Sequence, residues 1–209
     1  DDVTGQTVTT HTLTGTTDAT GTYTVAAPAH YVLADGQSRS INYTFAADNS
    51  DAVTVHLTHA VEHSTATTTR TINFVVDDGD TTKAPRPVVQ TVTWNVATDA
   101  VTGASVATAT GTYAGVDAPT VAGYTADGNV AAQTLGAVDT ADLADSQVTV
   151  HYTANDAELT VTYVDDVTGD TVTTAKLTGK TDGMGTYAVT TPAHYALADG
   201  QSGSVNYTF

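Results

Sequence analysis

The sequence predicts a mainly β chain, α+β with minimal helix, and three observations carry that prediction. Thr alternates with Val, Leu or Tyr over most of its length, the period-two pattern of strands with one face inward. Asp–Gly and Gly–Thr punctuation recurs between those runs, as hairpin turns require. Leu, Glu and Lys, the residues that build helices, are scarce.

The chain also repeats itself. Asp1 to Phe45 and Asp165 to Phe209 align without a gap and differ at twelve positions, so 165 − 1 = 164 residues is a repeat period. Near-identical copies at a fixed period indicate a window on an array of structural units. That organisation points away from a free-standing enzyme.

Taken in order, the second copy supplies the clearer reading of a module. Leu159, Val161 and Tyr163 share one face of an opening strand. Asp165-Asp166-Val167-Thr168-Gly169 reads as a turn with Gly in the left-handed position, leading into Thr171-Val172-Thr173. A strand at Thr186–Val189 follows, then Pro192 to Leu197, where proline suits a single helical turn, and last a strand at Ser204–Phe209. The first copy adds the closing strand, Val53-Thr54-Val55-His56-Leu57.

Between the copies lies a related module. Strands are expected over Thr71–Val76, with Ile72, Phe74 and Val76 on one face, and over Val88–Val96, with Val92, Trp94 and Val96 on one face. Asp99 to Gly103, Gly111-Thr112-Tyr113 and Pro119 to Tyr124 then echo the landmarks of the outer copies, and Val148 to Tyr152 closes the module. The resulting division is 1–64, lacking its opening strand; 65–155, complete; and 156–209, lacking its closing strand. His63 to Ala66 and Ala154 to Ala157 read as short junctions, too short for flexible linkers.

Composition narrows the function. Six Lys and Arg against 23 Asp and Glu give a formal charge of −17, which disfavours nucleic acid and anionic lipid as partners. No run of about 18 apolar residues occurs, so no membrane insertion is expected. Cys is absent, which removes disulfides and thiolate metal sites. Neither a Gly-x-Ser-x-Gly elbow nor a Gly-rich phosphate loop is present, so the chain is read as non-enzymatic.

Several stretches resemble the mucus-binding (MucBP, Mub-type) repeat of Gram-positive surface adhesins. They are Tyr163 to Gly169, Val53 to His59, Arg70 to Phe74, Val89 to Val92, Asp99 to Gly103 and Gly123-Tyr124. The resemblance implies tandem ubiquitin-like β-grasp domains in an elongated array, in the order first-type, second-type, first-type. It also implies an extracellular, cell-wall-anchored location, binding of mucin glycoproteins, and immunoglobulin binding in some members. The grasp helix is then expected to be reduced to the Pro28 or Pro192 segment.

Candidate binding residues are tyrosines able to stack on sugar: Tyr31, Tyr113, Tyr124 and Tyr195, with Tyr23 and Trp94 considered beside them. Trp94 alternates in register with Val92 and Val96 and is expected in the core. His56, His59 and His63 have metal-site spacing only on a helix; on a strand they diverge, and His56 should point outward. Asp77, Asp78 and Asp80 could offer oxygen to calcium, but they lack EF-hand spacing and read equally as turn residues. No cofactor is therefore expected. The competing function is a structural spacer with no ligand of its own.

Overall fold

A computed structural model describes residues 1–48, 52–77 and 80–209. Its strands are β1 (Thr20–Thr24), β2 (Tyr31–Leu33), β3 (Ser40–Thr44), β4 (Leu57–His59), β5 (Val61–Val76), β6 (Val88–Asp99) and β7 (Ser105–Ala109). They continue with β8 (Tyr124–Ala126), β9 (Val138–Asp139), β10 (Ser146–Ala154), β11 (Asp156–Val164), β12 (Thr171–Lys180), β13 (Met184–Ala188) and β14 (Ser204–Thr208). Among the described residues the only helical segment is a 3₁₀ turn at Thr140–Asp142, capped by the Asp139 carboxylate, which accepts from the Ala141 N–H.

The largest sheet has the order β8-β10-β5-β6-β7-β9. β10 runs parallel to β5, with Ser146 opposite Arg70 and Tyr152 opposite Val76, and antiparallel to β8. First and last strands of a module lying parallel at the centre, the first strand's successor on one flank and β8 on the other, is the β-grasp order. The mainly β prediction holds. Among the described residues no helix makes the crossover; residues 110–123 lead to β8 and residues 127–137 lead back, two irregular limbs tied by the bridges Tyr113↔Gln133 and Val116↔Val130.

The chain divides into two compact units. One comprises Asp1–Thr68, Val92–Gly111 and Leu135–Ala144; the other comprises Thr69–Thr91, Thr112–Thr134 and Asp145–Phe209. In the first, Val92, Trp94 and Val96 are buried on one face of β6 as their alternation predicts, beside Ala107 of β7. The Trp94 indole N–H donates to Thr68 Oγ1 at 2.9 Å, which satisfies the one polar group a buried tryptophan carries. In the second, Ile72, Phe74 and Val76 pack with Tyr124, Val130, Val150 and Tyr152. Burying a side chain such as Phe74 contributes about 2–3 kcal/mol, and the Tyr152 hydroxyl reaches the Pro119 carbonyl at 2.6 Å.

The repeat is reproduced in backbone geometry. β1 pairs with β3 from Thr20↔Thr44 to Thr24↔Ser40, and β13 pairs with β14 from Met184↔Thr208 to Ala188↔Ser204, the same register 164 residues on. Non-glycine residues with left-handed φ come in the same pairs: Asp18 (65°) with Asp182 (63°), and His30 (70°) with His194 (72°). The turn Asp1 to Gly5 also recurs at Asp99 to Gly103 and Asp165 to Gly169. In each the glycine has φ between 72° and 80° and its N–H donates to the aspartate carbonyl.

Three expectations are corrected. Pro28 and Pro192 open no helical turn: Tyr31 N–H donates to the Pro28 carbonyl and Tyr195 N–H to the Pro192 carbonyl, closing β-turns whose third residue, His30 or His194, is left-handed. The closing strand over Val53–Leu57 is assigned only from Leu57, because among the described residues nothing pairs in a ladder with Val53 to Val55. His63 to Ala66 is no junction but the interior of β5, whereas near Ala154 to Ala157 the ladder breaks only at Asn155.

Candidate functional site

The four candidate tyrosines separate by burial. Tyr113 and Tyr124 lie in the interior at 3% and 6% exposure. The Arg70 guanidinium sits 5.0 Å from the Tyr113 ring centroid and Lys83 Nζ 5.4 Å from that of Tyr124, so neither ring is an open sugar platform. Tyr31 is half-buried in β2, edge-on to His59 with centroids 5.7 Å apart. Tyr195, its counterpart 164 residues on, is 46% exposed. The structure therefore places two of the four where a ligand can reach them, each directly after a left-handed histidine.

Arg70 was not singled out by the sequence, yet it organises the irregular crossover. It is 4% exposed; its Nε and Nη2 donate to Gln90 Oε1, Nη2 also donates to the Ala114 carbonyl at 2.7 Å, and Nη1 donates to the Ala131 carbonyl at 3.2 Å. A cation buried in this way is held by carbonyl dipoles, and it pins both limbs of residues 112–134.

Two polar clusters also escaped the sequence reading. In the first unit, His59 is buried with Nδ1 2.6 Å from Asp99 Oδ2 and Nε2 3.2 Å from Asp1 Oδ2. The His59 hydrogen bond, reinforced by the Thr102 and Val101 backbone N–H groups, holds the Asp99 carboxyl far below the usual carboxylate range. His59 shares the buried face of β4 with Leu57, two residues before it, and Asp99 and Asp1 receive it there. In the second unit, Asp182 pairs with Lys83 and accepts from the Tyr124 hydroxyl at 2.7 Å. Its carboxyl is lowered first by Lys83 and then by Tyr124. Thr181, beside it, packs against Gly123, and its N–H donates to the Asn155 carbonyl.

His56 points outward as expected, with Nδ1 2.6 Å from Asp2 Oδ1. His151 makes the same pair with Asp77 Oδ1 at 2.8 Å. Of the calcium candidates, Asp77 accepts from His151 and Thr153, and Asp80 accepts from the Thr82 N–H and hydroxyl. Asp78 lies outside the described residues. Among the described residues no group of three or more His, Asp or Glu side chains converges on a metal-sized site.

An open depression of ≈ 520 Å³ lies in the second unit, lined by Lys83, Pro85, Pro119, Thr120, Val121 and Ala122. It holds no pair of carboxylates and no nucleophile with a base. The remaining cations lie on the β11–β12 hairpin, where Lys176 pairs with Glu158 and Lys180 with Asp156, or in loops, as Arg39 and Arg86 do. No helix among the described residues is long and apolar enough to cross a membrane.

Two family models match the sequence. One, described as a Muc B2-like domain, covers residues 59–156, and the other, described as a mucin binding domain, covers residues 1–59. No curated protein matches. Among solved structures, the MucBP domain of the adhesion protein from Pediococcus pentosaceus is 34% identical, over 43% of this chain and 99% of its own, with a TM-score of 0.32. The mucin-binding domain of a Streptococcus pneumoniae protein is 27% identical, over 46% and 96%, with a TM-score of 0.31. The type 2 repeat of the mucus binding protein from Lactobacillus reuteri is 23% identical, over 74% and 95%, with a TM-score of 0.31.

Proposed function

Because this chain belongs to the mucus-binding (MucBP, Mub-type) repeat family, we propose that it is a non-enzymatic adhesive repeat that binds mucin glycoproteins through weak contacts multiplied along an array. One observation carries the reading: the same local geometry recurs 164 residues apart, so a surface feature of one copy is presented again by the next. Repetition raises avidity without any new contact, by making each later engagement intramolecular. Tyr31 and Tyr195 are the proposed sugar-facing residues, with Tyr113 and Tyr124 supporting the interior. Such a repeat works outside the cell, attached to the bacterial wall.

The test compares retention on immobilised mucin of the chain as a monomer and as a dense coat on beads. Retention of the coat, weakened by Tyr31→Ala with Tyr195→Ala, is the expected outcome. Equal loss of both forms from mucin would sink the adhesive reading. An immunoglobulin pull-down run alongside tests the second partner class, which recognition through an exposed sheet edge would serve.

The spacer reading has its own supporting observation. Lys83, Tyr124 and Gly123 grip Thr181 and Asp182 across Asn155, which ties residues 65–155 to residues 156–209 by side chains as well as by backbone. A spacer binds neither a glycan array nor immunoglobulin.

A further inference from the structure

The β1–β3 hairpin carries a polar cleft that does not include Tyr31. It is an open depression of ≈ 350 Å³ lined by Thr20, Gly21, Thr22, Asn42, Tyr43 and Thr44. Period two puts Thr20, Thr22, Asn42 and Thr44 on the exposed face, with Thr20 opposite Thr44 and Thr22 opposite Asn42. On the other face the Tyr43 ring crosses β1 at Gly21, where any Cβ would collide with it.

The same residues stand together 164 positions on. Thr186 is opposite Asn206, Met184 is opposite Thr208, and Tyr207 crosses Gly185. In both copies the threonine hydroxyl donates to the asparagine Oδ1, at 2.9 Å from Thr22 and 2.8 Å from Thr186. The first copy includes the closing segment, residues 53–59, and the second includes β11, yet the six lining positions show the same pattern of exposure in each. Neither of those segments covers the cleft.

We infer that this cleft is a sugar subsite, presented twice along the chain, and that it takes a neutral N-acetylated hexosamine of a glycan, an assignment that rests on the adhesive reading and names its sugar. Charge selects the class. The lining holds no carboxylate and no cation, and residues 1–45 and 165–209 have no Lys or Arg at a shared position, so nothing common to the two copies would hold an acidic sugar. Hydrogen bonding selects within that class. Thr22 occupies the Asn42 Oδ1, and the two Nδ2 hydrogens, which have no protein acceptor among the described residues, remain for the acetamido carbonyl; Thr186 and Asn206 repeat this. Threonine hydroxyls both donate and accept, as the ring hydroxyls of a hexose do. Exposed hydrogen bonds of this kind hold weakly, and duplication is what gives retention.

The test follows the backbone amide resonances of the full chain during titration with N-acetylglucosamine, glucose and glucuronic acid in turn. N-acetylglucosamine should shift Gly21, Thr22 and Asn42 together with Gly185, Thr186 and Asn206, and the other two sugars should bind at least about fivefold more weakly. Asn42→Asp with Asn206→Asp keeps the side-chain shape and the acceptor for threonine but removes the donors, so melting temperature should hold while affinity falls about tenfold. Thr22→Val with Thr186→Val, which frees the asparagine to turn, should weaken binding without adding charge. Shifts that glucuronic acid matches, or that both double variants leave unchanged, overturn the subsite. Wild-type beads held on mucin with no shift at these residues sink the subsite and leave the adhesive reading standing; shifts without retention uphold the subsite and sink mucin adhesion.

Discussion

Trp94 is the side chain whose loss the first unit should feel most, being 4% exposed and bonded to Thr68 Oγ1. Trp94→Ala is expected to lower unfolding stability by about 3–5 kcal/mol in urea titration, through lost burial and an unfilled cavity. The left-handed positions make opposite predictions. A left-handed non-glycine residue costs roughly 1–2 kcal/mol, so His194→Gly should be neutral or stabilising by up to about 1 kcal/mol, part of the relief being offset by the freer unfolded chain. Gly123→Ala should destabilise by more than about 1 kcal/mol, since φ there is +80° and the new Cβ would run into the Thr181 side chain. Acid should act through Asp99 and Asp182. Both carboxyls are held below the ordinary 3.8 in the folded state, so their contribution is present above about pH 4 and is lost as pH falls below it. Melting temperature followed from pH 6 to pH 2 should therefore fall mainly below pH 4, and more shallowly in Asp99→Asn. Alternation announced the burial of Trp94, Ile72 and Phe74. The same period two sets Arg70 on the face of Ile72 and His59 on the face of Leu57, but it is silent on what receives them, because Asp99 and the 112–134 segment are distant in sequence.

At the scale of elements, one sequence adopts two states. Residues 171–180 form β12 because β11 lies beside them, while residues 7–16, identical at seven of ten positions, form no strand. Conversely Tyr31–Leu33 is a strand against β4, and Tyr195–Leu197 is not a strand. Residues 7–16 and 171–180 share most of their propensity, so there the partner decides, whereas at Tyr195–Leu197 the change from Val32 to Ala196 also lowers strand preference. Amide exchange should accordingly be slow over the bonded residues of 171–180 and fast over 7–16, a contrast that composition cannot explain. Turns were the most legible elements, since Asp-x-x-x-Gly specifies its own hydrogen bonds within five residues. The Pro28 and Pro192 segments were misread because proline suits the first turn of a helix and a β-turn alike, and the left-handed histidine that decides between them leaves no trace in periodicity.

For the molecule as a whole, a formal charge of −17 sets the conditions of adhesion. Sialylated mucin is itself acidic, so retention of coated beads should strengthen with added salt and as pH drops from 7 toward 4.5, above the range where Asp99 and Asp182 loosen the fold. Flat retention across that range would remove the electrostatic part of the adhesive reading. Scarcity of positive charge has a second consequence, for survival among digestive proteases that cut after Lys and Arg. Such enzymes find six sites in 209 residues. Arg70 is buried within β5, Lys176 and Lys180 lie in β12, Lys83 is paired with Asp182, and Arg86 precedes a proline. Arg39 alone sits exposed in a bend just before β3, and the later copy has Gly203 in its place. Brief trypsin treatment should nick the chain first after Arg39, and Arg39→Gly should leave it intact over the same interval. An array built from copies like the second would offer proteases that cut after Lys and Arg no such bend at which to enter.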